Sequence, residues 1–517
     1  MHTFLTHRWQ LLLCLLLGAL SVLAFAPFGY SYLIFFTLAA LCWTWYDANP
    51  GQAFSRGFAY GLGTYLVGTS WVYNSLAVYG GMPLWMGSIA VLGFSSIVGV
   101  FVGFSGFALA YLTTRKSLLR LALFAPSWVV FEWCKSWVLT GFPWLDIGYS
   151  QTDTVLFELA PIGGLYFISF AIAVFASCLV VLLAHNQMPL LKRGVAPLAA
   201  FAVVLSLSLY SAQNPWGEDS GKALHVGVVQ PNTPIERKWG AAYRNDVIAG
   251  LVQRNTDLLE KQSLDLIVWP ETALPVLLSQ TDAAFWSAVR PKNAALLTGL
   301  VERRIGEQDR VDDYNAAVLH CAGALSTEPQ VYRKRHLVPF GEYLPLRFLF
   351  QWVIDYLRLP MSDFTSWQQV QSLECGESLK LGLSICYEDA FSDEHRVHTR
   401  DATVLVNISE DAWFGDSFAP HQRLQMAQMR AKELALPLVR SANTGPSVLI
   451  DHEGRIVSQT QQFVSATLSG DVQPRTGETW YRALGEWVIY LSILLLLLPL
   501  LLPLLLQLLS RFVISKR

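Results

Sequence analysis

Two long uncharged segments near the start of the chain restrict its possible folds more than any other feature of the sequence. Residues 9–46 and residues 57–114 contain no Asp, Glu, Lys or Arg. A helix that crosses a bilayer needs about 20 apolar residues, so each segment is long enough for two crossings. Residues 27–29 and 80–83 supply the Pro and Gly that divide them. The chain is therefore predicted to begin as a bundle of membrane-spanning helices.

Four more apolar runs bring the predicted number of crossings to eight. They extend from about Leu118 to Thr140, Leu159 to Ala184, Gly194 to Ser211 and Trp487 to Ser510. Residues 1–214 hold only 13 of the 76 charged side chains, so most of the remaining sequence is suited to water. The predicted fold is mixed: an eight-span α-helical membrane domain, with seven spans in residues 1–214 and one in residues 486–517, carries a polar domain of residues 215–485.

The distribution of Lys and Arg predicts the orientation of these spans. Apart from Lys135 within the fifth predicted span, the basic residues of the membrane domain lie at the N-terminus, in the even-numbered loops and at the C-terminus, whereas the loops around Pro27, Gly80 and Trp144 hold none. Loops rich in Lys and Arg stay in the cytoplasm. We therefore predict a multi-pass protein with both termini in the cytoplasm and residues 215–485 on the opposite side, facing the periplasm or the cell exterior.

The net charge and the cysteines exclude several classes of function. A formal charge of −2 without a concentrated basic tract argues against a nucleic-acid partner. Cys321, Cys375 and Cys386 fall in the exported domain, and this odd number means that at least one is free or pairs with another molecule. Whether Cys321 and Cys375 are linked is left open. The chain has no Cys or His spacing typical of zinc sites, so we expect no metal and no cofactor.

The polar domain alternates β-rich runs with helical patterns, which predicts a layered α/β fold with its own core. The predicted strands are Leu224–Gln230, Asp265–Trp269, Ala295–Val301, Asn315–His320, Lys380–Ile385, Thr403–Ile408, Ser447–Ile450 and Ser465–Leu468. The predicted helices are Ala241–Leu259, Asp282–Val289 and His421–Glu433.

Three segments of this domain end an apolar run in a polar residue, the position at which α/β folds present catalytic groups. The polar residues are Glu271, Lys334 and Cys386. Taken singly, each has a more ordinary interpretation: a solvated carboxylate, part of a solvated basic run, and a packed thiol. Taken together, they predict acyl transfer through a thioester, because a thiol needs a base to ionise and an ammonium stabilises both the thiolate and an oxyanion.

The flanking residues resemble the nitrilase superfamily. The matching segments are WPE at 269–271, YRKRHLVPFGEY at 332–343, ICYED at 385–389, NISEDAWFG at 407–415 and RSANTGPSVLIDHEGRI at 440–456. This resemblance implies an α-β-β-α sandwich. It also implies that Glu271 is the general base, that Lys334 stabilises the oxyanion and that Cys386 is the nucleophile.

With its spans, the whole chain resembles the apolipoprotein N-acyltransferase family, including VLTGFPWLDIGYSQ at 138–151. In that family an acyl chain passes from a phospholipid to the enzyme's cysteine. It then passes to the α-amine of the diacylglyceryl-modified N-terminal cysteine of a bacterial lipoprotein. The resemblance implies a phospholipid donor, a diacylated apolipoprotein acceptor, membrane lipid around the spans and a place in the bacterial inner membrane. We expect a monomer.

The same resemblance implies roles for four residues beside the triad. Glu342, Tyr387 and Glu388 match positions needed for activity, and Trp239 matches a tryptophan implicated in substrate handling. The family commonly reads SNDAWFG where this chain has Glu410 in place of the Asn. The sequence assigns Glu410 no role.

Two other functions use the same residues differently. A membrane-anchored nitrilase-type hydrolase that cleaves an exported amide would employ the same triad and release a free acid. A transporter or lipid scavenger would need only a structural outer domain, but the spans hold little charge and the catalytic set is complete.

Two further segments allow more than one interpretation. Residues 344–367 form either a buried crossover helix or an amphipathic lid on the membrane surface. Glu132 and Lys135, spaced i,i+3 on the fifth predicted span, are expected to pair with each other rather than to contact a lipid headgroup.

Overall fold

The structure is a computed structural model. It describes residues 2–184, 189–291, 293–306, 310–323, 329–345, 347–348, 363–376 and 379–514. The chain divides into two compact units. The first comprises Met1–Val72, Trp85–Asn214 and Ala483–Arg517, and the second comprises Tyr73–Leu84 and Pro215–Arg482.

In the described residues of the first unit, all of the regular secondary structure is helical. Its helices are α1 His2–Ser21, α2 Leu33–Tyr46, α3 Pro50–Gly68, α4 Leu84–Leu112, α5 Leu118–Ala122, α6 Phe124–Lys135, α7 Ala160–Ala184, α8 Leu190–Gln213 and a C-terminal helix Trp487–Ile514. Glycines let α1 and α3 approach closely, as is common between helices in membranes. A Cβ atom at Gly18 would lie 1.9 Å from the carbonyl oxygen of Tyr60, and one at Gly63 would lie 2.0 Å from that of Leu15.

Four helical segments are long and apolar enough to cross a membrane among the described residues, not the eight that were predicted. They are His7–Ala24, Leu84–Leu112, Val155–Ala184 and Arg193–Gln213, and two shorter apolar helices are Leu33–Tyr46 and Trp487–Leu502. The predicted fifth span is divided into α5 and α6, which have only 5 and 12 residues. The predicted third span ends early, because α3 stops at Gly68 and residues 73–84 group with the second unit.

The buried charges near the end of α6 differ from the predicted pair. The Nζ atom of Lys135 lies 2.5 Å from Oδ1 of Asp146, and it also donates to the hydroxyl of Tyr65 at 2.8 Å. Glu132 instead accepts a hydrogen bond from the backbone N–H of Ile147 at 2.8 Å. The predicted ion pair between Lys135 and Glu132 was therefore wrong, because Lys135 pairs with Asp146. The charge of Lys135 is still balanced within the protein.

The described part of the second unit forms two six-stranded sheets and one small two-stranded sheet. Its strands are β1 Glu218–Asp219, β2 Leu224–Gln230, β3 Leu266–Val268, β4 Ala295–Ile305, β5 Val311–His320, β6 Gln330–Arg333, β7 Leu373–Cys375, β8 Leu379–Ile385, β9 Val404–Ser409, β10 Leu438–Ala442, β11 Val448–Ile450, β12 Ile456–Gln459, β13 Ala466–Val472 and β14 Arg475–Thr476. Its helices are α9 Ile235–Lys238, α10 Arg244–Lys261, α11 Ala283–Val289, α12 Ser392–His398, α13 Ala419–Leu434 and α14 Trp480–Leu484. All eight predicted strands and all three predicted helices are present.

The two large sheets have matching designs. One has the order β13-β2-β3-β4-β5-β6 and the other has the order β12-β11-β10-β9-β8-β7. In the first sheet β3 runs parallel to β2 and β4, and in the second β9 runs parallel to β8 and β10. The outer strands pair antiparallel. The three central strands of each sheet are therefore parallel, and their carboxyl ends lie on the same side of the sheet.

Side chains along these strands point alternately to the two faces of each sheet, so each sheet packs on the other sheet with one face and on helices with the other. The result is a four-layer sandwich. Val226, Val228, Leu381 and Leu383 belong to one buried cluster that joins the two sheets. On the outer face of the first sheet, Leu251 and Leu258 of α10 pack with Ile267, Trp269 and Leu296. On the outer face of the second sheet, Leu424, Ala427 and Ala431 of α13 pack with Leu405 and Leu438. The predicted α-β-β-α arrangement is thus observed in this unit.

A disulfide closes one edge of the sandwich. Cys321, just after β5, is bonded to Cys375 at the end of β7, 54 residues along the chain. This pairing answers the question that the sequence left open. Most of the segment 344–367, for which a buried crossover helix and a membrane-surface lid were both open, lies outside the described residues, including residues 346 and 349–362.

Candidate active site

Glu271 lies just beyond β3 with both carboxylate oxygens held. Oε1 accepts a hydrogen bond from the side-chain N–H of Asn315 at 2.7 Å, and Oε2 accepts one from the backbone N–H of Glu410 at 2.8 Å. The local turn depends on Gly299 of β4, since a Cβ atom there would lie 2.4 Å from the backbone nitrogen of Thr272. Glu271 is buried, and its carboxylate is oriented by Asn315 of β5 and by the backbone of the loop that contains Glu410.

Lys334 directly follows β6 and is only 1% exposed. Its Nζ atom lies 3.0 Å from Oε1 and 2.9 Å from Oε2 of Glu342, and 3.5 Å from Oε1 of Glu271. Burial alone would lower the pKa of Lys334, but the two carboxylates outweigh it and raise the pKa above its ordinary value. Lys334 is therefore a fixed ammonium ion in a dry site.

Cys386 directly follows β8, at the start of the short 3-10 turn Cys386–Ala390. Its φ is +52°, in the left-handed region that non-glycine residues rarely occupy and that is common at functional sites. Burial, with a smaller contribution from Glu271, raises the pKa of the thiol to about 12, while Arg423 and Lys334 act in the opposite direction. The resting thiol thus keeps its proton and needs a base to release it.

One amide joins the two carboxylates of the site. The side-chain N–H of Asn315 on β5 donates to Oε1 of Glu271 and to Oε1 of Glu342, both at 2.7 Å. Its backbone oxygen accepts from the backbone N–H of Lys334 at 2.8 Å. Glu342 also accepts from the backbone N–H of Val338 at 2.8 Å. Asn315 was missed in the sequence, where its only signal is a single amide in an apolar strand.

Glu388 links the segment that carries the thiol to the segment that carries the lysine. One of its oxygens accepts from the backbone N–H of Ile385 at 2.7 Å and from the hydroxyl of Tyr332 at 2.9 Å. The other oxygen accepts from the backbone N–H of Arg335 at 2.7 Å. Burial raises the pKa of this carboxyl, and the two backbone N–H groups oppose that shift. Glu388 therefore braces the turn of Cys386 against the end of β6.

Two other predicted residues lie at the margin of this arrangement. Tyr387 is buried and packs edge-on against the rings of Phe391 and His336, at 4.9 and 5.7 Å between centroids. Trp239, at the end of α9, is 51% exposed. It is the preceding residue, Lys238, that reaches inward, and sequence reasoning did not identify it.

Lys238 and Glu410 form a buried ion pair behind Glu271. The Nζ atom of Lys238 lies 2.6 Å from Oε2 of Glu410 and donates to the backbone oxygen of Glu271 at 3.0 Å. Asn443 donates to both oxygens of Glu410 at 3.0 Å. The residue that departs from the family pattern is thus neutralised and hydrogen-bonded, and it does not point to solvent.

A second buried network touches Cys386 from α13 and β10. Arg423 donates to Asp411 at 2.7 Å and to Asp389 at 3.2 Å. Arg440 donates to the same two aspartates, at 2.9 to 3.1 Å. Two guanidinium ions and two carboxylates therefore balance one another in the core, as buried charges must. Arg423 was also missed, because an Arg in a helix resembles a solvated residue.

These groups provide the parts of nucleophilic acyl transfer: a buried thiol, a carboxylate able to take its proton and an ammonium ion able to stabilise an oxyanion. Among the residues that the structure describes, no group of three or more His, Cys, Asp or Glu side chains could hold a metal ion.

The two-sheet fold and this site define a nitrilase-superfamily domain, and comparison with known families agrees. The family model "Carbon-nitrogen hydrolase" matches residues 225–482, and the model "Apolipoprotein N-acyltransferase N-terminal domain" matches residues 17–178. The chain belongs to the apolipoprotein N-acyltransferase family, and it is an acyltransferase enzyme of the nitrilase superfamily.

Three relatives illustrate the extent of the similarity, and each is named apolipoprotein N-acyltransferase. The relative from Methylococcus capsulatus is 38% identical over 484 residues, which are 92% of this chain and 93% of the relative. The relative from Azotobacter vinelandii is 37% identical over 494 residues, 94% and 93% of the two chains. The relative from Pseudomonas aeruginosa is 37% identical over 496 residues, 94% of each chain.

Proposed function

We propose that this enzyme transfers an acyl chain from a membrane phospholipid to the α-amine of the N-terminal diacylglyceryl-cysteine of an apolipoprotein. The transfer passes through a thioester on Cys386. The observation that carries the proposal is the buried Lys334 ammonium ion, which lies 3.5 Å from Glu271 and 2.9 Å from Glu342 and acts electrostatically, as Glu271 does, on the buried Cys386 thiol. The membership of the chain in the N-acyltransferase family supports the choice of substrates.

In the first half-reaction, Glu271 takes the proton of Cys386 as the sulfur attacks the ester carbonyl of the phospholipid. Lys334, with a backbone N–H near Tyr387, stabilises the oxyanion of the tetrahedral intermediate. The C–O bond breaks, and Glu271 returns its proton to the departing lysophospholipid. The products are a Cys386 thioester and a lysophospholipid.

In the second half-reaction, the lipoprotein's α-amine loses its proton to Glu271 and attacks the thioester carbonyl. The C–S bond breaks, the amide forms, and the thiolate regains a proton from Glu271. Glu342, Glu388 and Tyr387 support the geometry of this cycle. Trp239 is proposed to contact the lipid substrates, because its exposed ring lies one residue from Lys238. No metal or organic cofactor takes part.

The proposed setting is the bacterial inner membrane. Residues 1–214 and 486–517 would provide the membrane-embedded part, with both termini in the cytoplasm and residues 215–485 in the periplasm. The excess of Lys and Arg in the loops assigned to the cytoplasm supports this orientation. The protein is proposed to act as a monomer.

The decisive experiment measures the intact mass of the purified full-length protein after incubation with dioleoyl phosphatidylethanolamine. We expect a mass increase of one oleoyl group, removable by hydroxylamine and absent in Cys386→Ala. Cys178→Ala is the matched control, since Cys178 is a free thiol in the first unit. Absence of both the adduct and released oleic acid would contradict the mechanism.

The hydrolase alternative is separated by adding a diacylated lipopeptide to the acylated enzyme. Loss of the thioester with formation of a triacylated peptide supports the transferase. Loss of the thioester with release of free oleic acid, and without an acylated peptide, would instead favour an amide or ester hydrolase.

Orientation is tested separately in intact cells. Glu218 is exposed in the second unit, so Glu218→Cys should react with a membrane-impermeant maleimide added outside. The wild-type chain provides the background from its native thiols. Labelling of Glu218→Cys only after the inner membrane is permeabilised would contradict the periplasmic placement.

A further inference from the structure

Arg423 of α13 contacts the proposed nucleophile at two atoms. Its Nη1 atom lies 3.5 Å from Sγ of Cys386, and its Nη2 atom donates to the backbone oxygen of Cys386 at 2.6 Å. The guanidinium group is 1% exposed, so water does not compete for these contacts. Two donors of one planar group therefore hold a single residue, the one whose backbone is strained at φ +52°.

The two aspartates fix the position of this guanidinium. Nη1 also donates to Asp411 at 2.7 Å, and Nη2 also contacts Asp389 at 3.2 Å. Each Nη atom has two N–H groups, so each can serve one aspartate and one atom of Cys386. The fork is thus oriented before any substrate binds.

Arg440 offers an internal comparison. It is equally buried and contacts the same Asp389 and Asp411, and it also donates to Asn407 at 2.8 Å. The contacts that the structure describes for Arg440 do not include the thiol of Cys386. The two arginines therefore share a network, and they differ in access to the sulfur.

We propose that Arg423 is a further catalytic residue, which donates a hydrogen bond to the Cys386 thiolate and holds the nucleophile in its strained conformation. This inference rests on the proposed role of Cys386 as the nucleophile. Lys334 remains available for the oxyanion, because the thiolate has its own partner. In the second half-reaction the same contact stabilises the departing thiolate as the C–S bond breaks.

The effects of nearby charges on the pKa of the Cys386 thiol agree with these separate roles for Arg423 and Lys334. Besides the dominant effect of burial, Glu271 and Asp411 raise the pKa of Cys386, whereas Arg423 and Lys334 lower it. Removing Arg423 should therefore make the thiolate rarer at a given pH. A thiolate of higher pKa is also more nucleophilic, which recovers part of the loss.

The test measures alkylation of Cys386 in the full-length protein by iodoacetamide between pH 7 and 9, quantified on the peptide that contains Cys386. No lipid is present, so the result does not depend on the proposed substrates. We expect the rate of the wild-type protein to rise about tenfold per pH unit. Arg423→Gln should lower the rate more than twofold at each pH, while Arg440→Gln should stay within twofold of wild type.

A rate for Arg423→Gln within twofold of wild type would overturn the inference, as would an equal loss in Arg440→Gln. If Arg423→Gln does not fold, Arg423→Lys decides, because its single ammonium group cannot reach both the sulfur and the carbonyl oxygen. A more than twofold loss in Arg423→Lys supports the inference, and a smaller loss overturns it. Failure of the acyl adduct to form would contradict the proposed function and leave this measurement unaffected.

Discussion

The ammonium group of Lys238 lies 2.6 Å from the carboxylate of Glu410, and both side chains are buried. The pair stands directly behind Glu271, because Lys238 donates to the backbone oxygen of Glu271 and the backbone N–H of Glu410 donates to its carboxylate. The acidic residue that departs from the family pattern thus has a charge partner within the same site. The pair supports Glu271 at both its main chain and its side chain.

Removing one member of this pair should cost more than removing both. Lys238→Met leaves Glu410 buried without its cation, and breaking such a pair costs about 3–5 kcal/mol. The double variant Lys238→Met with Glu410→Gln removes both charges and keeps an acceptor for Asn443, so it should regain much of that stability. Thermal midpoints of the wild type, both single variants and the double variant measure the coupling. Strictly additive changes would show that the two residues act independently.

Asn315→Asp should abolish most acyl transfer. The substitution replaces the N–H donor between Glu271 and Glu342 with a third negative charge. We expect a loss of about 100-fold in rate, the size of effect that follows removal of one oxyanion-hole donor from an active site. The measurement is kcat/KM for acylation of a diacylated lipopeptide. Asn255→Asp is the control, since Asn255 is equally buried on α10 but lies away from the site. Comparable losses in both variants would indicate a general folding defect.

His395 should make the second unit sensitive to acid. Burial, with a smaller contribution from Arg430, lowers the pKa of His395 to about 3. In the unfolded chain the imidazole of His395 takes up a proton near pH 6.5, so the contribution of neutral, buried His395 to the free energy of unfolding is fully present above that pH. This contribution decreases by about 1.4 kcal/mol per pH unit as the pH falls towards 3. His395→Phe should flatten the decline in thermal midpoint between pH 6 and 4.

A control of opposite sign is available at His225. The His225 ring donates hydrogen bonds to the side-chain oxygens of Asp471 and Gln262, which raise its pKa, so its contribution to stability is present at low pH and is lost as the pH rises. His225→Gln should therefore leave the acid-induced decline in place. If the thermal midpoint of His395→Phe declined between pH 6 and 4 as much as that of the wild type, other groups would have to cause the decline.

The disulfide should be detectable and stabilising. Under denaturing, non-reducing conditions, iodoacetamide should label five of the seven cysteines, because Cys321 and Cys375 are bonded. Replacing both by Ser frees a loop closed over 54 residues, which should lower stability by about 4 kcal/mol. Cys178→Ser is the matched control without a bond to lose. Seven labelled cysteines in the wild type would exclude the bond.

Features that repeat along the chain could be predicted without coordinates. Runs of residues without charge identify apolar helices, and runs of apolar, β-branched residues identify strands such as β2 and β8. Both patterns are visible because the buried positions of a helix or a strand recur at a regular spacing. The positions of Glu271 and Cys386 after apolar strands were likewise visible, since parallel strands end at a common edge. The limits of α3 were not, because residues 73–84 continue the apolar run although they belong to the second unit.

The sequence by itself therefore determined the apolar helices, the layered α/β fold and the order of Glu271, Lys334 and Cys386. Only the tertiary structure decided which other polar residues join them. Lys238 and Glu410 are 172 residues apart, and Arg423 reaches Cys386 across 37 residues. Contacts across such separations leave no periodic signal, because they depend on how strands and helices pack. The same reason explains why the partner of Cys321 became known only from the fold.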